Sequence, residues 1–368
     1  MIPVNIPLFA GNENQYLSEC VRSGWISSEG PFVKRFEEEF SAFAQRKYGI
    51  AVSSGTAALD IALKSLDLGK NDEVILPTFT IISCVLAVIK TGAKPILVDS
   101  DPDTWNMDVN QIAGKVTSRT KAIMIVHIYG LPVDIEPILR LAEAKGIKVV
   151  EDAAQMIGQT YRGRPCGSFG DLSTFSFYPN KMVTTGEGGM VVTNDEKLAA
   201  RCRSLRNLCF EENARFIHQE AGWNYRMTNL QAAVGVAQLE KIDQTVMKKR
   251  WVGHQYRNRL KNHPRLVLPI EMTDYATNIY WIFGLMIETD DLQEVKIIRD
   301  HLKKNKIGTR SFFWCMHEQP LFKKDRVFAE CRFPVAEKMA RFGFYLPSGV
   351  GLNQGDITTV CDRLLEVL

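Results

Sequence analysis

The sequence predicts an α/β fold: a mostly parallel sheet with helices on both faces, followed by a smaller α+β region. Three observations predict it. Strand-like and helix-like segments alternate from about residue 35 to 235, the strand-like segments are apolar runs closed by polar residues or glycine, and the character changes after about residue 250. Apolar strands joined by helices need cover on both faces, which is the arrangement of a parallel sheet.

Each element has its own signal. "GIAVSSG" is a short β-type run, and "TAALDIALKSLDL" after it has the apolar spacing of a helix. "DEVILPTFT" is a strand running into a turn, and "IISCVLAVIKTG" is a helix closed by Gly92. "KPILVDSD", "KAIMIVHIYG" and "KVVEDAAQ" are further strands, and "DIEPILRLAEAKG" is a helix with Asp134 at its start and Gly146 after its end. Residues 222–260 are expected to form one long amphipathic helix, after which "IYWIFGLMIET" is a strand, "LQEVKIIRDHLKKNKI" a helix and "TRSFFWC" an edge strand. We expect a large domain over residues 1–245 and a small α+β domain over 246–368, joined through a helix rather than a flexible tether. Ligands of open α/β sheets bind beyond the carboxyl ends of strands, which marks residues 53–56, 77–81, 127–130 and 152–155 as candidate pocket segments.

The bulk composition excludes several function classes. Among 368 residues, 45 Lys and Arg nearly balance 42 Asp and Glu, and no long basic block is present. That leaves no electrostatic case for nucleic acid or a membrane surface as partner. No apolar run reaches the length of a membrane span, and "MIPVNIPLFAGNENQ" lacks a charged segment before a long apolar one, so a cytoplasmic location is expected. The eight cysteines are scattered without a CxxC pair, which reads as reduced intracellular thiols and predicts no metal site.

Three segments carry chemistry. In "SSGTAAL" a glycine between strand and helix frees backbone N–H groups where a phosphate binds well, although Ser54 serves equally as an ordinary helix cap. In "VVEDAAQ", Asp152 follows an apolar run and ends a strand, where it can pair with a heteroaromatic nitrogen or cap the next helix. In "FSFYPNKMVTTGEGGMVVT", Lys181 is either a solvated loop residue or a reactive amine whose pKa is lowered in a desolvated pocket. A phosphate cradle, a carboxylate and a buried lysine, in that order on an α/β sheet, are the parts needed to hold pyridoxal phosphate (PLP).

At these residues the sequence resembles the sugar aminotransferase family called DegT/DnrJ/EryC1/StrS, of the aspartate-aminotransferase-like fold (PLP fold type I). The resemblance runs through "GWISSEGPFVKRFEEEF", "SSGTAAL", "DEVILPTFT", "VDSDPDTWNMD", "TKAIMIVHIYG", "VVEDAAQ", "GSFGDLSTFSFYPNKMVTTGEGGMVVTND", "GWNYRMTNLQAAVGVAQLE" and "YLPS". Within the family, "FSFYPNKMVTTGEGGMVVTND" and "GWNYRMTN" are most similar to perosamine synthases, which aminate C4 of a GDP-linked 4-keto-6-deoxymannose. The resemblance implies that Lys181 forms the Schiff base with PLP and shuttles the proton, and that Asp152 keeps the pyridine nitrogen protonated. It further implies that Gln155 bonds the phenolic oxygen, and that Gly55, Thr56 and Ser176 hold the phosphate. Asn224 is expected to reach the phosphate of a neighbouring subunit, which makes the active unit a homodimer with shared sites. A related dehydratase carries histidine where this chain has Lys181, so the lysine favours amine transfer.

Two segments depart from the family pattern. Ile81 stands where an aromatic residue often stacks on the cofactor ring, so either Ile81 packs on that face or Phe79 approaches it. In "TRSFFWCMHEQP", Arg310 and His317 are retained, while Ser311 and Cys315 replace prolines of the substrate-side segment. Further substrate candidates are Trp25, Ser27, Ser28, Glu187 and Arg226, and His127 reads equally as a satisfied strand-end histidine. The implied reaction is transfer of the amine of L-glutamate to GDP-4-keto-6-deoxymannose, giving GDP-perosamine for surface polysaccharides such as lipopolysaccharide O-antigen. Another UDP- or dTDP-linked ketosugar, or a small phosphorylated ketone, is the alternative acceptor. A PLP-binding regulatory protein without turnover is the alternative of another class.

Overall fold

Seven apolar strands form the central sheet of the computed structural model, which describes residues 1–211, 213–324, 327–328 and 331–368. In chain order the strands up to residue 193 are β1 (Tyr48–Val52), β2 (Glu73–Pro77), β3 (Lys94–Val98), β4 (Thr120–Val126), β5 (Lys148–Asp152), β6 (Thr160–Tyr161), β7 (Arg164–Pro165), β8 (Leu172–Ser176) and β9 (Gly189–Thr193). The sheet order is β1-β9-β8-β5-β4-β2-β3, with β6 and β7 set apart as a two-stranded hairpin. The pairs β3–β2, β2–β4, β4–β5 and β5–β8 are parallel, and β9 alone runs against its neighbours β8 and β1. Every residue of β2 and β9 is buried, as expected of strands covered on both faces.

The cover comes from α1 (Glu13–Ser23), α2 (Pro31–Phe43), α3 (Gly55–Lys64), α4 (Ile82–Thr91), α5 (Ile135–Lys145), α6 (Glu196–Arg206), α7 (Asn229–Leu239) and α8 (Ile242–Leu260). Alternate strand residues enter different cores. Ile50, Val52 and Val191 join Ala58 and Ile61 of α3 and Leu205 of α6. Ala51, Met190 and Val192 face the other way, into the core that holds Phe36 and Phe40 of α2 and Val236 of α7. Gly92 and Gly146 end α4 and α5 with φ of 91° and 65°, a conformation glycine adopts without steric penalty.

The second sheet is antiparallel and four-stranded, in the order β10-β11-β13-β12. Its strands are β10 (Leu266–Val267), β11 (Phe283–Ile287), β12 (Arg310–Ser311) and β13 (Gly343–Leu346). With α9 (Leu292–Lys304) and α12 (Gln354–Leu365) it builds a separate core around Phe283, Ile298, Phe344 and Ile357, to which α11 (Pro334–Phe342) adds Phe342, whereas Phe322 of α10 (Pro320–Lys324) and Ala336, Met339 and Ala340 of α11 join the core of Phe36 and Phe40. Ile242 and Val246 of α8 lie in the core of Phe36 and Phe40, and Val252, Tyr256 and Leu260 in the core of Phe283 and Phe344.

Two local expectations change. Residues 222–260 form two helices after an extended segment, not one helix. Asn224 and Arg226 bridge Asn207 and Val52, and α7 starts only at Thr228, whose hydroxyl and amide exchange hydrogen bonds with Gln231 in a capping box. Glu240 then closes α7, its carboxylate tied to Asn12, Tyr16 and Arg35. Asp134 does precede α5, but its carboxylate accepts the Tyr161 hydroxyl instead of capping the helix.

Candidate active site

All four strand-end segments marked in the sequence meet at one cavity of about 460 Å³. Ser54, Gly55 and Thr56 arrive from the β1–α3 turn, Ile81 from the β2–α4 turn, Tyr129 from beyond β4, and Asp152, Ala154 and Gln155 from the end of β5. Ser176, at the end of β8, and Lys181 and Glu187, on the loop to β9, complete that side. The opposite wall is Trp281, Arg310, Ser311, Phe313 and Tyr345 from the second sheet and its flanks.

At the α3 end, Ser54 caps the helix through the Ala57 amide at 3.1 Å, which leaves the first-turn amides of Gly55 and Thr56 without intrahelical acceptors. The backbone there is in close contact with β8. A Cβ on Gly55 would lie 2.7 Å from Cβ and 3.0 Å from Oγ of Ser176, so only glycine lets the helix N-terminus sit beside that hydroxyl. Thr56 Oγ1 and Ser83 Oγ are 2.9 Å apart.

Asp152 is buried at the end of β5, where Oδ1 accepts the Ala154 amide at 3.0 Å and Oδ2 accepts the Cys84 thiol at 3.3 Å. Burial raises its pKa, and the Ala154 amide and the charge of Lys181 oppose the rise. Lys181 shows the converse: burial lowers its ammonium to about 8 against the pull of Asp152 and Cys84. Its Nζ lies 4.0 Å from the centre of the Trp281 ring, and the Trp281 indole donates to the Asn180 carbonyl at 2.7 Å. Gln155 Oε1 accepts the Tyr129 amide at 2.6 Å, with Tyr129 held at φ 58°. Thr174 Oγ1 and Asn180 Oδ1, both on cavity-lining residues, are buried without a hydrogen-bond partner.

This donor set suits PLP: free helix-start amides beside a hydroxyl for a phosphate, a buried carboxylate for a ring nitrogen, and an amine whose neutral form is accessible near neutral pH. Ile81, half open to the cavity at 42% exposure, presents an aliphatic face. Phe79 does not approach. It is fully buried, with its ring 6.0 Å from those of Tyr129 and Phe312.

Other candidate residues lie elsewhere. Asn224, Trp25 and Ser27 are exposed and outside this cavity. Ser28 and Arg226 line a second cavity of about 440 Å³ with Glu29, Arg206, Asn207 and Arg215, and Arg226 donates to Asn207 at 2.6 Å. His317 is buried behind the cavity wall, held by Thr78 at 2.9 Å and Glu337 at 3.1 Å. His127 is buried and satisfied: Nδ1 accepts the Val133 amide, so Nε2 carries the proton toward Glu151 at 3.0 Å.

Among the cavity residues that sequence reasoning did not single out are Ser83, Tyr129, Tyr178, Asn180, Trp281, Phe313 and Tyr345. Tyr129 lay inside a marked strand-end segment. Trp281, Phe313 and Tyr345 carry no local signal, because packing of the second sheet against the first is what brings them to the cavity.

Comparison with known proteins agrees with this geometry. The family model described as "DegT/DnrJ/EryC1/StrS aminotransferase family" matches residues 8–365. A GDP-perosamine synthase of Escherichia coli O157:H7 is 40% identical over 365 residues, covering 99% of this chain and 98% of the relative. One from Caulobacter vibrioides is 40% identical over 368 residues, covering 100% and 98%. The Streptococcus pneumoniae protein Spr1654, solved in its PLP form, superimposes with a TM-score of 0.92 at 25% identity, covering 100% of this chain and 99% of its own. The chain therefore belongs to the DegT/DnrJ/EryC1/StrS family and is a PLP-dependent aminotransferase of the fold type I class.

Proposed function

We propose that the enzyme transfers the amine of L-glutamate to C4 of GDP-4-keto-6-deoxymannose, producing GDP-perosamine for a surface polysaccharide such as O-antigen. The observation that carries the reading is 40% identity across the whole chain to GDP-perosamine synthases. It is supported by a cavity lined by both the buried Asp152 and the half-buried Lys181. When bound, PLP supplies an electron sink and a carrier for the amine.

The chain's residues would divide the remaining work. Lys181 takes and returns the proton at the reacting carbon, with a pKa near the working pH where a general base is most effective. Asp152 holds a negative charge against the ring nitrogen in a setting too dry to screen it. The Gly55 and Thr56 amides and the Ser176 hydroxyl bind the phosphate, Gln155 takes the phenolic oxygen, and Ile81 packs on the ring. Arg310 and Glu187, both on the cavity wall, are placed to orient polar groups of the two substrates.

We read the active unit as a homodimer. Asn224 and Trp25 are exposed outside the cavity of their own chain, as residues that serve a partner's site would be. We place the enzyme in the cytoplasm, in keeping with eight unpaired cysteines, and no helix among the described residues is long and apolar enough to cross a membrane.

The test is a two-step absorbance experiment on the holoenzyme. L-glutamate should bleach the visible band of the bound cofactor, and after removal of the donor GDP-4-keto-6-deoxymannose should restore it. Restoration only by a UDP- or dTDP-linked ketosugar would reassign the acceptor. Absence of bleaching with any amino donor would move the regulatory reading to the front.

A further inference from the structure

A buried hydroxyl–thiol pair stands behind Asp152. Cys84, the third residue of α4, is fully buried and lies between two polar partners: Thr80 Oγ1 at 3.2 Å and Asp152 Oδ2 at 3.3 Å. An ionised carboxylate can only accept, so the thiol proton points to Asp152, and the sulfur in turn accepts the Thr80 hydroxyl. Thr80 is equally buried and lies in the β2–α4 turn, four residues before Cys84 on the first turn of α4, whereas Asp152 ends β5. Burial and the nearby carboxylate hold the thiol protonated, which keeps it a donor.

We propose that Thr80 and Cys84 act as a two-step hydrogen-bond relay that positions Asp152, making Cys84 a positioning residue for the cofactor's ring nitrogen; this rests on the reading of Asp152 given above. The carboxylate is clamped from both sides. The Ala154 amide takes Oδ1 and the thiol takes Oδ2, which fixes the rotation of the group on the cavity wall. Without the thiol, one oxygen of a buried carboxylate loses its donor, and the group is free to rotate or to gain a proton. A packing role alone would need neither the alignment with Thr80 nor the donor.

The test compares Cys84→Ser, which keeps a donor, with Cys84→Ala and Cys84→Val, which remove it. Three quantities are measured on each holoenzyme: retention of PLP on dilution, kcat with L-glutamate, and the melting temperature. Loss of a charge-assisted hydrogen bond predicts about a 10- to 100-fold drop in cofactor affinity or kcat for the Ala and Val variants. Cys84→Ser should stay within about threefold of the parent, even if it melts lower, because burying a hydroxyl costs more than burying a thiol. Packing alone predicts the reverse order, with Ala at least as good as Ser. Thr80→Val, isosteric and lacking only the hydroxyl, should show a smaller loss in the same direction and serves if Cys84→Ala does not fold. Parental PLP retention and kcat in Cys84→Ala, or a Ser variant no better than Ala, would overturn the relay. Failure of the unaltered enzyme to retain PLP at all would instead overturn the assignment of the site.

Discussion

Lys249, on α8, is a buried ammonium that the proposed chemistry does not use, and it makes a quantitative prediction. It is 2% exposed, and its Nζ donates to the carbonyls of Trp281 at 2.8 Å and Ser348 at 2.6 Å. Burial lowers its pKa from 10.5 to about 7. The unfolded chain keeps this proton up to the ordinary lysine range, whereas the folded chain releases it near neutrality. Between those values the unfolded state binds more protons, so stability rises with pH; below them the desolvation penalty is present in full. Between about pH 6 and about pH 9 roughly two units of that window are crossed, which would add roughly 3 kcal/mol at about 1.4 kcal/mol per unit. The two carbonyls favour the ammonium and reduce this, so the expected gain is about 1–3 kcal/mol. Lys249→Met fills similar space and cannot titrate, and loss of its donors subtracts roughly 1–3 kcal/mol for each carbonyl left without a partner, at every pH. Urea unfolding of both proteins, at equal concentration and with saturating PLP, should therefore show the parent gaining on the variant as pH rises. A constant gap, or one that closes with pH, would refute the argument and show Lys249 charged throughout.

Further outcomes are expected at three residues. Lys181→Ala should lose at least about 10³-fold in 2-oxoglutarate release while melting like the parent, since its amine is both nucleophile and proton carrier; with Lys181 lowered to about 8, the sugar half-reaction of the parent should accelerate as pH rises and level off above that value. Gly55→Ala puts a methyl 2.7 Å from Ser176 Cβ, so the helix start must retreat from β8, and PLP titration should show affinity lowered about tenfold or more. Trp281→Leu removes both the ring face 4.0 Å from Lys181 and the bond to the Asn180 carbonyl, and kcat should fall about tenfold, whereas Trp281→Phe, which keeps a ring, should recover part of it.

Much of one side of the site was legible along the chain because it rests on short-range rules. Apolar runs such as "VILP" and "AIMIV" could only be strands covered on both faces, and ligands of such sheets gather at the strand ends. Gly55, Asp152 and Lys181 therefore met in one cavity as their order along the chain suggested. Those residue types in that order suited PLP, and the resemblance added the amine transfer and the class of acceptor. The break at Glu240 was missed for a different reason: the apolar spacing continues across it, while the Glu240 carboxylate is held by Asn12, Tyr16 and Arg35, partners far away in sequence.

The other wall of the site was settled by tertiary packing. Trp281, Phe313 and Tyr345 sit in segments whose local patterns say only strand or edge. His317 shares the substrate-side segment with Arg310, yet it turns away to Thr78 and Glu337 while Arg310 faces the cavity. Cys84 and Lys249 read as ordinary helix residues until a carboxylate and two carbonyls come within hydrogen-bond reach of them. The physical distinction is range. Caps, turns and strand ends follow from backbone groups a few residues apart, whereas the partner of a buried side chain depends on how two sheets pack, and no local pattern encodes that.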